Sequence, residues 1–261
     1  MPPADKKSMK LRFRFVRQQL LFLFGCVAVL IGAVTMVRAD IVTTTDNRRQ
    51  EVKVIGVSGS TLQVQVGAGT LGLPLASIKE VQMAAPPELA QAQQAFAAKD
   101  YKRALSLITQ LTEKYKGMPA EWAQLATGML GDLYVALNEL PKAEVAYKEF
   151  QRLYPGGGSL QADVGMARIA ASKKDFATAR QKLEPITAQA LKEKNVSRLH
   201  AYAYSQAFLV LGQVKESEGN APGALEDYLR TVTIFHHDPA AVSAAQERAD
   251  ALRKDHKVTV P

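Results

Sequence analysis

The chain reads as mainly α: about four helical hairpins stacked as a solenoid, closed by a capping helix and preceded by a small all-β unit. Three observations predict this. A small residue recurs at Ala104, Ala143, Ala179 and Ala224, spaced 39, 36 and 45 residues apart, with a bulky residue four positions on in each case (Ile108, Tyr147, Leu183, Tyr228). The phrase Lys99-Asp100-Tyr101-Lys102-Arg103-Ala104 returns as Lys174-Asp175-Phe176-Ala177-Thr178-Ala179 and, loosely, as Asn220-Ala221-Pro222-Gly223-Ala224. Ahead of these copies, residues 41–83 change from helical to alternating periodicity.

The first element, residues 1–39, reads as an export segment. Lys6, Lys7, Lys10, Arg12, Arg14 and Arg17 precede an apolar run from Leu20 to Val37, and Val37-Arg38-Ala39 puts small residues at the −3 and −1 positions of a cleavage site after Ala39. That is the pattern of a secretory signal peptide. An uncleaved anchor is the alternative, since the run of 18 residues is close to the ~20 that span a bilayer. Either places the rest of the chain outside the cytoplasm: periplasmic or secreted after cleavage, or anchored to the inner membrane and facing the periplasm. The membrane is expected to meet only this segment. Cys26, the one cysteine, lies inside the run, so no disulfide or thiolate metal site is expected beyond it. The formal charge of +8 also originates here. Residues 1–39 carry seven of the 33 basic and one of the 25 acidic residues, leaving 26 against 24, a net of +2. That balance gives no excess positive charge for a phosphate backbone, which excludes nucleic acid as the expected partner.

Residues 40–83 predict a small β-barrel-like domain of about five short strands. In Thr61-Leu62-Gln63-Val64-Gln65-Val66 the apolar residues fall on one face and the glutamines on the other. Glu51 to Val57 is a β-branched run bounded by turn residues, and Ser58-Gly59-Ser60 and Gly67-Ala68-Gly69 are hairpin connections. Thr70–Leu75 and Ile78–Met83 supply further strands. The break at Pro74-Leu75-Ala76-Ser77 resembles the helical turn before the last strand of SH3-like and Sm-like barrels. So small a unit is expected to lean on the first helices or on a partner. Residues 84–87, with Pro86 and Pro87, form a short, stiff linker.

Residues 88–256 carry the hairpins. Residues 127–155 are the most explicit copy: Leu130-Gly131, then Tyr134, Ala143, Tyr147 and Pro155. Gly131 and Ala143 allow two helices to approach closely, Tyr134 and Tyr147 fill the space between neighbouring pairs, and Pro155 ends the unit. Leu211-Gly212, Ala224 and Tyr228 form a second clear copy, whereas Ala92, Ala95, Ala104 and Met166, Ala167, Ala170, Ala179 mark fainter ones. This spacing resembles the tetratricopeptide repeat (TPR) over about residues 86–256. All three repeat intervals exceed the 34 residues of that family, so longer helices or loops are expected. Tyr147 to Pro155 is also similar to repeats in exported bacterial envelope TPR proteins. Asp238-Pro239 opens the closing helix, with Asp238 as cap and Pro239 at the first helical position. A tail, residues 257–261, follows.

No residue set points to catalysis. Gly56-Val57-Ser58-Gly59-Ser60-Thr61 lacks the lysine of a phosphate loop and sits between strands. Gly156-Gly157-Gly158-Ser159 follows Pro155 and reads as a loop with Ser159 as a helix cap. His236-His237 has no partner at metal-ligand spacing, and His200 and Trp122 read as packing residues. The chain is therefore expected not to be an enzyme and to need no cofactor or metal. The resemblance implies instead a scaffold that binds an envelope protein or peptide on its concave face, formed by the first helix of each pair. It places Gln93, Asp132, Arg168 and Gln213 on that face, with Phe96, Val135, Ala171 and Glu216 one turn further. Arg168 and Phe96 are the foremost contact candidates, because arginine and aromatics dominate interface energetics. The lysine–asparagine clamp by which some members hold a C-terminal carboxylate is missing, as Gly128 and Asp132 occupy those positions. An alternative stays open: a structural component that self-associates through the β domain.

Overall fold

The computed structural model describes residues 39–155 and 158–256. The segment upstream of Ala39 that the sequence reads as an export signal, with Cys26, and also Gly156-Gly157 and the tail 257–261, lie outside the described residues. Ala39 itself is exposed, directly before the first strand.

Five antiparallel strands come first: β1 (Asp40–Thr44), β2 (Arg49–Ser58), β3 (Thr61–Val66), β4 (Gly69–Pro74) and β5 (Ile78–Gln82). Their order in the sheet is β4-β3-β2-β1-β5. A single 3-10 turn, Leu75–Ser77, separates β4 from β5, where the proline-containing break lies. Gly59 and Gly67 sit at φ +59° and +57° in the two tight hairpins, a region that glycine enters without steric cost. Alternation places Leu62 and Val64 at 0 % exposure. The expected third member of that face, Val66, is 55 % exposed, because β3 has run past its cover by the hairpin to β4.

Nine helices follow among the described residues: α1 (Pro87–Ala97), α2 (Tyr101–Tyr115), α3 (Glu121–Ala136), α4 (Leu140–Leu153), α5 (Gly158–Ser172), α6 (Phe176–Ala190), α7 (Arg198–Ser217), α8 (Ala221–Thr233) and α9 (Pro239–His256). The first eight pair as antiparallel hairpins, and α9 stacks on α8. This is the mainly α solenoid of four hairpins and a cap that the sequence predicts. Pro87, expected in the linker, already occupies the first turn of α1, where its missing N–H costs nothing. α5 begins at Gly158, one residue before Ser159, which the sequence places at the cap.

Each hairpin turns in the same way. Lys99, Asn138, Lys174 and Gly219 adopt φ of +62°, +59°, +62° and +82°, always five residues before the recurrent alanine. The next N–H reaches back to the carbonyl five residues earlier in every case, as in Asp100 N to Ala95 O (2.8 Å) and Asn220 N to Lys215 O (2.8 Å). Asp100, Asp175 and Asn220 then cap the second helix through their side chains. The long interval to the last hairpin comes from the 20-residue α7 and the segment 191–197 ahead of it.

Packing follows the register just as strictly. Ala92, Ala167, Ala104, Ala143, Ala179 and Ala224 are all at 0 % exposure, as are the bulky partners Ile108, Tyr147, Leu183 and Tyr228. Gly131 has no Cβ, and one added there would overlap the Tyr147 ring. A Cβ on Gly212 would meet the Tyr228 ring at 2.6 Å. The same Tyr147 ring also lies on Gly165 of α5, so it fills the space between successive hairpins. Leu211 is buried, while Leu130 and Tyr134 are half-buried at the margin of the core. Pro155 stands just past the end of α4.

The β unit leans on the first helices. Val42, Val54, Leu62, Val64, Ile78 and Val81 share one apolar core with residues of α1, α2 and α3. At Gly56 of β2 a Cβ would stand 2.9 Å from the Lys114 carbonyl oxygen of α2, so the strand and the helix meet backbone to backbone. Val81 N donates to Pro119 O at 2.8 Å and ties the edge strand β5 to the α2–α3 connection.

Candidate partner-binding cavity

In three of the four hairpins the first helix presents the residue after its small position (Asp132, Arg168, Gln213) toward the inside of the array. α1, α3, α5, α7 and the unpaired α9 all reach the same space, a cavity of about 160 Å³. Phe96, Val135, Leu209, Ala241 and Ala244 give it apolar walls, and Asp132, Arg168, Gln206, Gln213 and Asp238 a polar floor. The cap helix reaches back to the first hairpin: Lys99 in the α1–α2 turn pairs with Glu247 of α9 at 3.1 Å. The concave face thus narrows to a small, partly open cavity among the described helices.

The floor is a connected network. Asp132, 2 % exposed, accepts from Tyr147 Oη at 2.6 Å and from the Arg168 guanidinium on Oδ1, and from Gln206 Nε2 at 3.0 Å on Oδ2. Gln206 Nε2 also donates to Asp238 Oδ2 at 3.1 Å. Asp238 Oδ1 accepts from Ala240 N at 3.0 Å, capping α9 as the sequence predicts. Burial pushes the Asp238 carboxyl above its ordinary range, with the Gln206 bond pulling the other way. Burial also raises the Tyr147 phenol, reinforced by the Asp132 charge. For Arg168 burial opposes the charge, but Asp132 and its neighbours outweigh it and keep the guanidinium protonated. Tyr202 is held well above the ordinary phenol range by burial and then by Asp238 and Asp132.

Five of the six predicted contact residues therefore meet in one place: Phe96, Asp132, Val135, Arg168 and Gln213. Gln93 does not. It lines a separate cleft of about 480 Å³ between β5, the proline segment, α1, α3 and Arg198 of α7. Ala171 and Glu216, the candidates one turn further, line a third cleft of about 450 Å³ with Arg168, Gln213, Phe176 and Arg248. Arg168 is mostly inward, its side chain 17 % exposed and paired with Asp132.

Gln206 and Asp238 are the floor residues that sequence reasoning missed. Gln206 lies seven residues before Gln213, two turns upstream on the same helix face, and Gln161 stands in the same relation to Arg168. Both glutamines are buried, at 3 % and 2 % exposure, so the groove register read two turns further upstream would have found Gln206. Gly128, where the carboxylate clamp would need lysine, makes room for Gln161, whose amide a Cβ would overlap.

The residues set aside for catalysis stay apart from this chamber. His236 and His237 stack on each other at 5.1 Å and are both exposed. His200 Nδ1 lies 3.2 Å from Glu193, which also accepts from Tyr204. Trp122 is buried edge-to-face with Tyr115 in the core shared with the β unit.

No family model matches the chain, and no curated protein matches it. Solved structures do. A kinesin light chain of Podosopora anserina with nearly identical TPR-like repeats is 15 % identical, with a TM-score of 0.38 over 66 % of this chain and 86 % of that one. A single-substitution variant of the same kinesin light chain is also 15 % identical, at 0.39 over 66 % and 85 %. The MamA RS-1 ArsTM double mutant is 14 % identical, at 0.35 over 67 % of this chain and all of that one. The helical part of the present chain is TPR-like in fold on its own geometry: four hairpins with one turn type and one register of small and bulky positions. Among the described residues no helix is long and apolar enough to cross a membrane.

Proposed function

We propose that the protein is a non-catalytic scaffold of the cell envelope that binds a segment of a partner protein at the inner face of its helical array. The observation that carries this reading is the convergence of Phe96, Asp132, Val135, Arg168 and Gln213 from different hairpins on one cavity. A site assembled from several repeats recognises a shape that no single repeat offers, and its mixed apolar and charged lining suits a protein side chain. Export rests on the basic and apolar N-terminal segment, and the β unit is read as SH3-like from its strand order and its 3-10 turn.

In-cell photo-crosslinking from positions 96 and 213 tests this, with Val145 on the outer surface, 68 % exposed, as the control. One envelope protein captured from both inner positions but not from 145 supports the reading. Self-adducts alone, or the same products from all three sites, would refute it. They would favour the structural alternative, in which the chain self-associates through its β unit. That alternative has its own observation: the edge strand β4 is largely exposed, with Leu71 at 50 % and neighbouring Val66 at 55 %. A mass that grows with concentration would separate it from the scaffold.

A further inference from the structure

The central cavity has an excess of acceptors. Two carboxylates, Asp132 and Asp238, face a single guanidinium, Arg168, among the residues that line it. Gln206 sharpens this. Its amide orientation is fixed, because Nε2 donates to both carboxylates, at 3.0 and 3.1 Å. The other end, Oε1, is buried and meets no donor among the described residues. A buried acceptor left unanswered is costly, so a donor that reached Oε1 from the cavity would be favoured. Apart from Gln213 the remaining walls are apolar, and the volume of about 160 Å³ limits an occupant to a single side chain.

We propose that this cavity receives a primary ammonium on an unbranched aliphatic stem, presented as a lysine side chain by the partner protein. The inference rests on the scaffold reading and names what the site takes. The methylenes lie along Phe96, Val135 and Leu209, while the ammonium points at Gln206 Oε1 and the two aspartates. Lysine fits better than arginine here. A guanidinium fork seeks a pair of parallel acceptors, whereas the free acceptor is one amide oxygen beside an unbalanced negative charge.

The test is calorimetric titration of the full chain with pentylammonium, with n-pentanol as the neutral counterpart, and with Nα-acetyl-lysine methylamide against its Nε-acetylated form. Saturable binding of pentylammonium and of the blocked lysine, absent for pentanol and for the acetylated form, is the expected result. Asp238→Asn should weaken it about tenfold, the scale of one lost charge-assisted contact. Asparagine caps a helix as well as aspartate does, so this variant keeps α9 in place. Equal binding of pentanol would overturn the proposal and leave only an apolar hole. No saturable binding of any probe would overturn it as well. Binding of pentylammonium without the blocked lysine would overturn the lysine assignment in favour of a free amine. None of these failures touches the scaffold reading, which the crosslinks at 96 and 213 decide separately.

Discussion

Two of the four hairpins pair a glycine with a tyrosine sixteen positions later, Gly131 with Tyr147 and Gly212 with Tyr228. The other two pair an alanine with a branched aliphatic residue, Ala92 with Ile108 and Ala167 with Leu183. The physical link is volume: where the Cβ is absent a ring occupies its place, and where it is present only a smaller side chain fits. Gly131→Ala should therefore destabilise the protein by about 2–3 kcal/mol through overpacking. Adding Tyr147→Leu should recover part of this, with a favourable coupling of about 1 kcal/mol in urea denaturation, although the Asp132 bond is lost. Additive effects would mean that the ring and the Cβ do not compete. Asp238 makes a pH prediction. Its carboxyl is raised by burial, so the folded state holds its proton more tightly than the unfolded chain. Its contribution is fully present below the ordinary value of 3.8 and is lost as pH rises through the raised one. The stability of Asp238→Asn relative to the parent should accordingly increase with pH above that value in denaturation curves. Glu149, held down to about 2 by Arg152 and Lys116, works in the opposite direction and in a lower window, so the two can be told apart.

At the scale of elements, the hairpin turns were the most legible part of the sequence. The Lys-Asp-aromatic phrase at 99–101 and 174–176 marks the left-handed turn residue, the cap and the first helical residue, and it locates even the two hairpins whose packing motifs are faint. The β unit was legible through its alternation and its two glycine hairpins. Its contact with α2 was not, since only the folded structure shows that Gly56 faces the Lys114 carbonyl. The turns carry a measurable cost. A lysine at φ +62° is strained relative to glycine, so Lys174→Gly should stabilise by about 0.5–1 kcal/mol in thermal denaturation. Gly219→Ala, at φ +82°, should destabilise by about 1 kcal/mol. Lys99 is the poorer site for the first test, because its side chain also reaches Glu247.

The whole array behaves differently from an open stack. In most solenoids each repeat touches only its neighbours. Here α9 also meets α1, and five helices share one cavity. Deleting α9 should therefore speed amide hydrogen exchange in α1, far away in sequence, as well as in α8. Exchange confined to α8 would show that the closure carries no energy. Glu247→Gln alone should change stability by less than about 0.5 kcal/mol, because the Lys99 pair is exposed on both sides. This closure is what the sequence could not convey. The residues of the candidate site were mostly legible, since five of six positions read from the register converge, but the register does not state how far each hairpin rotates against the next. That angle accumulates over the array and decides whether the inner face opens or seals. Gln206 and Asp238 gained their significance only through it.

Repeat arrays commonly gain or lose units without penalty, because a new hairpin simply finds a neighbour on either side. The meeting of α9 with α1 removes that freedom. One hairpin more would carry the last helix past the first, and one fewer would leave it short. In either case Phe96 would no longer face Ala241 and Ala244, and the chamber would lose a wall. The number of repeats is thus as much a determinant of what this protein can bind as any side chain in it.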